Sequence, residues 1–162
     1  LMIFLTVGSQ KFQFNRLLKE IDRLISKEII TDRVVAQIGA SDYKPINYEY
    51  FDFLTKEEFM EYIDQSSLII THGGTGVIIN ALKKNKKIIA IPRLSKFDEH
   101  VDDHQVQLIN EFKELNFIEP VYDIDELENA INKAKIKKYN KYISNTKRII
   151  DDIVNYLGED DE

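Results

Sequence analysis

The chain has no cysteine and no tryptophan, which excludes disulfides and thiolate metal sites and fits a cytosolic setting. It has no Lys/Arg stripe, and its net charge of -6 argues against a general nucleic-acid binder. Its longest apolar runs are short. The first, Leu1 to Leu5, lacks a basic flank and falls well below the length of a signal peptide or a membrane span. No linker, repeat or low-complexity stretch divides the 162 residues, which suffice for one substantial core. The expected organisation is one domain over residues 1–157 and a disordered acidic tail over 158–162.

The stretch Leu68 to Leu82 is organised differently from the rest. An apolar run is followed by Thr71, His72 and three glycines within four positions, Gly73, Gly74 and Gly76, and then by a sequence able to continue as a helix. This reads as strand, tight turn, helix. Glycine lets a ligand approach the main chain, and the first amides of a helix have no internal partners, so the turn suits a phosphate or another anion. His72 and the Thr75 hydroxyl are expected at its mouth as added donors. Packing alone also places glycine between strand and helix, and His72 also reads as a structural histidine. The dinucleotide fingerprint fails at Ile79, where a third glycine belongs, and no Gly-Lys-Ser/Thr phosphate loop is present.

Strand and helix alternate along the whole chain. Expected strands are 2–7, 34–38, 48–54, the run before His72, 88–91 and the short pair Phe117-Ile118. Between them lie a helix carrying Phe14, Leu17, Leu18, Ile21 and Leu24, one opened by the capping box of Thr55 and Glu58, and one over 77–85. Further on come one capped by Asp102 or Asp103, one capped by Asp123 with Glu126, and a last helix over roughly 138–157. The fold class is therefore α/β, a Rossmann-like, doubly wound and mostly parallel sheet of about six strands flanked by helices. In such a sheet the loops after the strands gather on one edge, so Gly8, Ser9, Gly39, the turn at 72–76 and the loop from Arg93 to Gln105 should line one crevice.

His100 and His104 lie four apart, which on a helix places two imidazoles on one face as metal ligands. No third ligand is evident, and a capping role accounts for the acids between them, so no metal is expected. Tyr139, Tyr142 and Tyr156 read as core or partner contacts, and Lys83 to Lys87 as a solvated helix end.

At this point the sequence resembles the carboxy-terminal, nucleotide-sugar-binding domain of two-domain (GT-B) glycosyltransferases, the glycosyltransferase family 28 C-terminal domain. In particular it resembles the stand-alone subunits of the eukaryotic Alg13 and bacterial PssE and EpsF exopolysaccharide kind. The resemblance rests on Thr71 to Gly76, on Glu99 to Gln105, on Val7-Gly8-Ser9 and on Gln37-Ile38-Gly39, in that family's order. It implies a donor-binding set of Gly8, Ser9, Gln37, Gly39, His72, Gly73, Gly74, Thr75, Gly76, Asn80, Arg93, His100, Asp103, His104 and Gln105. In this set His72 stabilises the diphosphate leaving group, and Gln105, Asp103 and His104 lie near the sugar. Where many relatives carry a glutamate for the ribose hydroxyls this chain has Asn80, whose amide lacks the strength of a charge-assisted bond.

The implied activity is hexosyl transfer from a UDP-sugar with inversion, in exopolysaccharide, capsule or lipid-linked oligosaccharide synthesis, with no metal or other cofactor. One domain has no room for the acceptor half, so the general base is expected on a membrane-associated partner of the Alg14 or PssD kind, which presents a lipid-linked acceptor. The chain is then cytoplasmic, held at the inner face of the membrane through that partner. The alternative is a non-catalytic subunit that binds nucleotide or stabilises its partner.

Overall fold

The computed structural model describes residues 1–143 and 146–157; the expected acidic tail lies outside them. Six strands, β1 (Met2–Thr6), β2 (Arg33–Gln37), β3 (Glu49–Phe51), β4 (Leu68–His72), β5 (Lys87–Ile91) and β6 (Glu119–Pro120), form one sheet in the order β3-β2-β1-β4-β5-β6. Every pairing is parallel, with Ile3 against both Val34 and Leu68, and Ile70 against Ile89.

A parallel sheet is buried on both faces, and the alternation of side chains divides the core in two. Ile3, Leu5, Ile70 and Ile89 face helices α1 (Asn15–Ser26) and α5 (Leu127–Ile136), meeting Leu17, Leu18, Ile21, Leu24, Leu127 and Ile131. Phe4, Ile69, Ile88 and Ala90 face α2 (Lys56–Gln65), α3 (Thr75–Lys83), α4 (His104–Glu114) and α6 (Thr146–Leu157). The Thr55 and Glu58 capping box opens α2 as its spacing predicts, with both reciprocal bonds at 3.1 Å.

Three expectations shift. The last strand is Glu119–Pro120, not Phe117-Ile118, because the Phe117 N–H bonds back to the Phe112 carbonyl at 3.1 Å and closes α4 behind Asn116, whose φ is 55°. The last helix begins at Thr146, not near Lys138. Asn140 is held instead as a cap on α4: its N–H reaches the Asn116 carbonyl and its side chain the Leu115 carbonyl, both at 2.8 Å. Asp123 caps a 3-10 turn, Ile124–Glu126, which leads into α5. Of the three tyrosines, Tyr139 donates to Glu119 and Tyr142 packs against the second core cluster, while the Tyr156 side chain lies outside the described residues.

The order β3-β2-β1-β4-β5-β6 reverses direction between β1 and β4. In an open parallel sheet the crevice forms at that reversal, beyond the carboxyl ends of the strands. The loops there are the ones after Thr6 and His72.

Candidate functional site

A cavity of about 1110 Å³ opens at this reversal. Gly8 and Ser9 line it from the β1 loop, Gln37 and Leu54 from the β2 side, Thr75, Gly76 and Asn80 from α3, and Asp151, Val154 and Asn155 from α6. Helix α3 begins directly at the glycine turn, with Gly74 as its N-cap. The first bond within the helix runs from Ile78 N–H to the Gly74 carbonyl at 3.2 Å, so the amides of Thr75, Gly76 and Val77 precede the helical ladder. They stand at the positive end of the helix dipole, on the cavity wall.

The β1 loop is held by close backbone approach. Gly39 has φ 58°, and a Cβ there would stand 2.9 Å from the Gly8 carbonyl oxygen. Gln37 fastens the same loop, donating to the Gly8 carbonyl at 3.0 Å and accepting from Leu54 N–H at 3.3 Å. Its amide thus positions the wall that it lines.

His72, expected at the mouth of the turn, is enclosed: it is fully buried as the last residue of β4, paired with Ile91, and does not line the cavity. Gln105, also fully buried, explains how. Its Oε1 accepts from the N–H groups of Gly73 and Arg93, each at 3.0 Å, which leaves its NH2 to donate to His72 Nδ1 at 3.3 Å. Nδ1 is therefore the acceptor and Nε2 carries the proton. Among the described residues that buried Nε2–H has no hydrogen-bond partner. Gly73 makes room for the bridge, since a Cβ there would lie 2.9 Å from Gln105 Cβ.

Arg93 is the largest fully buried side chain, and its guanidinium gathers main-chain carbonyls. It donates to those of Phe12 and Gln13 at 3.1 Å, of Glu99 at 3.2 Å, and of Val7. Beside it Glu99 is gripped by Arg16 in two bonds of 3.0 Å. The loop over 93–105, expected to line the crevice with the others, contributes no residue to the cavity. Arg93, Glu99 and Gln105 turn inward to satisfy backbone groups, and Arg93 ties the β5 loop to the β1 loop from behind.

Burial, followed by the charges of Arg93 and His100, holds the His72 pKa well below the ordinary 6.5. The unfolded chain therefore binds a proton near pH 6.5 that the folded chain refuses. Stability attributable to this residue is present above pH 6.5 and is lost as the pH falls. Stability is expected to fall between pH 7 and 5, and His72→Gln should flatten that slope in urea melts across the range. Equal pH dependence in both proteins would count against the buried neutral ring.

His100, Asp103 and His104 stand apart from the cavity, at the start of α4. Asp103 accepts from Ser95 N–H at 2.8 Å, and the His104 N–H is accepted by Asp102 at 3.1 Å. Sequence reasoning missed that Asp102 stands between the two imidazoles. It looked for ligands on one helical face, while His100 and Asp102 lie ahead of the helix. It also missed the α6 contribution, because nothing local in residues 151–155 signals that this helix folds back over the turn.

The chain matches the model of the "Glycosyltransferase family 28 C-terminal domain" over residues 2–154. It is 31% identical over 112 residues to the "UDP-N-acetylglucosamine transferase subunit ALG13" of Candida albicans, a match covering 69% of this chain and 36% of that protein. To the protein of the same name from Saccharomyces cerevisiae it is 38% identical over 68 residues, covering 42% and 31%. The match thus spans about a third of each of these relatives. The solution structure of ALG13 superposes with a TM-score of 0.66 at 19% identity, covering 98% of this chain and 97% of that one. The glycotransferase of kitacinnamycin gives a TM-score of 0.64 at 15% identity, with 97% and 39% covered. These likenesses show the GT-B carboxy-terminal fold.

Proposed function

Since the chain belongs to the glycosyltransferase family 28 C-terminal domains, we propose that it is the donor-binding subunit of a two-component inverting glycosyltransferase that uses a UDP-sugar. The observation that carries this reading is the cavity at the β1/β4 reversal, walled by the first-turn amides of α3. A diphosphate seated there receives the Thr75 and Gly76 amides, and preorganised donors of this kind stabilise the charge that develops on a departing UDP without a metal ion. His72, enclosed behind the turn, supports it through its contact with Gln105 and does not face the cavity.

The relatives named as N-acetylglucosamine transferase subunits favour UDP-N-acetylglucosamine as the donor over an unspecified exopolysaccharide precursor. Asp151 is the sole carboxylate among the described residues lining the cavity, and it is paired to Lys147 at 2.7 Å. No histidine lines it. We take the base for the acceptor hydroxyl to come from a second, membrane-associated chain that carries a lipid-linked acceptor and holds this subunit at the cytoplasmic face. No helix described is long and apolar enough to cross a membrane. Asn80 on the cavity wall, where a carboxylate would grip ribose more strongly, favours the second reading of a nucleotide-binding but non-catalytic subunit.

Thermal-shift titration with UDP against GDP and ADP tests the site. At 100 times its dissociation constant UDP is expected to stabilise the chain by about 2.7 kcal/mol. The complex with its partner then separates the two readings: sugar transfer supports the catalytic subunit, and a UDP shift without transfer supports the other. Absence of a UDP effect in both chain and complex sinks the donor-site assignment.

A further inference from the structure

His100, Asp102 and His104 form a cluster outside the cavity lining. Each offers one ligand atom, and those atoms lie within 4.8 Å of one another. Asp102 Oδ1 is the meeting point: His100 Nδ1 stands 3.3 Å from it, and His104 Nδ1 contacts it directly. The two rings meet edge to face with centroids 5.0 Å apart.

The surroundings give the cluster a back and a front. The imidazole side chains are 7% and 19% exposed, whereas Asp102 is 56% exposed. Phe12 packs on the His100 ring at 5.3 Å, and the His104 N–H holds Asp102 Oδ1 at 3.1 Å. Such supporting contacts orient ligands and limit the reorganisation that binding requires. Two ligands about 2.0–2.1 Å from a tetrahedral zinc ion stand about 3.3 Å from each other, which is the His100 to Asp102 spacing. His104 Nδ1, in direct contact with Asp102 Oδ1, has to draw back to the same spacing.

We infer that these three residues form a binding site for a first-row divalent metal ion, with Zn2+ foremost. Two imidazole nitrogens and one carboxylate oxygen suit zinc, cobalt, nickel or copper, and they are too few and too nitrogen-rich for calcium or magnesium. One coordination position or more remains toward solvent through the exposed side of Asp102. The ion bridges the end of the 93–103 loop and the first residue of α4, so it fastens the loop whose other contacts reach the β1 loop. This is a role separate from the diphosphate chemistry, and the site does not depend on the transferase reading.

The test uses the full chain stripped with EDTA and titrated with Co2+, followed by visible absorption, and then with Zn2+ in competition. One Co2+ per chain is expected, with ligand-field bands that Zn2+ abolishes. His100→Gln and His104→Gln should each weaken binding at least tenfold, since even losing a supporting outer contact costs about that much. Asp102→Asn should do the same, while its amide oxygen keeps the bond from the His104 N–H and with it the fold, as metal-free melting of each variant will show. The inference is overturned by no saturable binding to the wild-type chain, or by binding that Asp102→Asn leaves intact. Because no nucleotide is present, either result leaves the UDP assignment to its own test.

Discussion

Gln105→Leu is expected to destabilise the chain by about 4 kcal/mol while nearly conserving volume. Three buried groups lose their partner at once: the N–H groups of Gly73 and Arg93, and His72 Nδ1. Each buried polar group left unsatisfied costs about 1–3 kcal/mol, so even the low end of the range gives a large sum. The added apolar contact of leucine is small, because the site is already closed around a side chain with no exposure. Water cannot easily replace the amide, as Gln105 Cβ and Ile109 Cδ1 already crowd the Gly73 backbone. Gln105→Glu separates the parts of this effect. It keeps the acceptor for both N–H groups but removes the donor to His72, so urea denaturation should place it between leucine and wild type near neutral pH. A leucine variant within 1 kcal/mol of wild type would show that the bridge is not what holds the turn.

Arg93→Met is the second large effect, expected at about 3 kcal/mol. Methionine fills much of the same space and relieves the burial of a charge, which reduces the cost. Against that gain, the carbonyls of Val7, Phe12, Gln13 and Glu99 all lose a charged donor, and the unmade bonds outweigh the relief. The loss also falls on a particular place. Val7 immediately precedes Gly8 and Ser9 on the cavity wall, so nucleotide affinity should fall along with stability. Urea melts and UDP titration on one preparation check both. A stable variant with unchanged UDP affinity would mean that the β1 loop holds its shape without the arginine.

Much of the fold was legible because its signals are local. Apolar runs marked β1, β2, β4 and β5, and the Thr55 capping box marked α2. The glycine turn marked the start of α3, and alternation of strand and helix then dictated a parallel sheet. What was not legible depends on partners distant in sequence. Asn140 ends up capping α4 and not starting a helix, and no residue near it announces that choice. The same holds for the site. Gly8, Ser9, Thr75 and Gly76 were expected at the crevice and line the cavity, because loops after parallel strands share an edge, and Gln37 and Asn80, implied by the family resemblance, line it too. The inward turn of His72, Arg93 and Gln105 could not be read from those loops. Their type suggested ligand contacts, yet Arg93 and Gln105 bond first to buried backbone groups and His72 to the Gln105 side chain, a demand that appears only once the loops are packed.

The sheet order also bears on how the chain acquires its shape. The central pair joins Ile3 to Leu68 and Thr6 to Thr71, so the first strand made waits for the fourth before its second edge is covered. Closing that long loop is an entropic barrier met before any reward from the pairing, and high contact order of this kind slows folding. On the ribosome, β1 with β2 and β3 forms an incomplete layer with a bare apolar edge until residue 72 has emerged. The glycine turn follows directly on the strand that covers the second edge of β1, so a chain stalled before β4 leaves that edge unpaired and prone to aggregation.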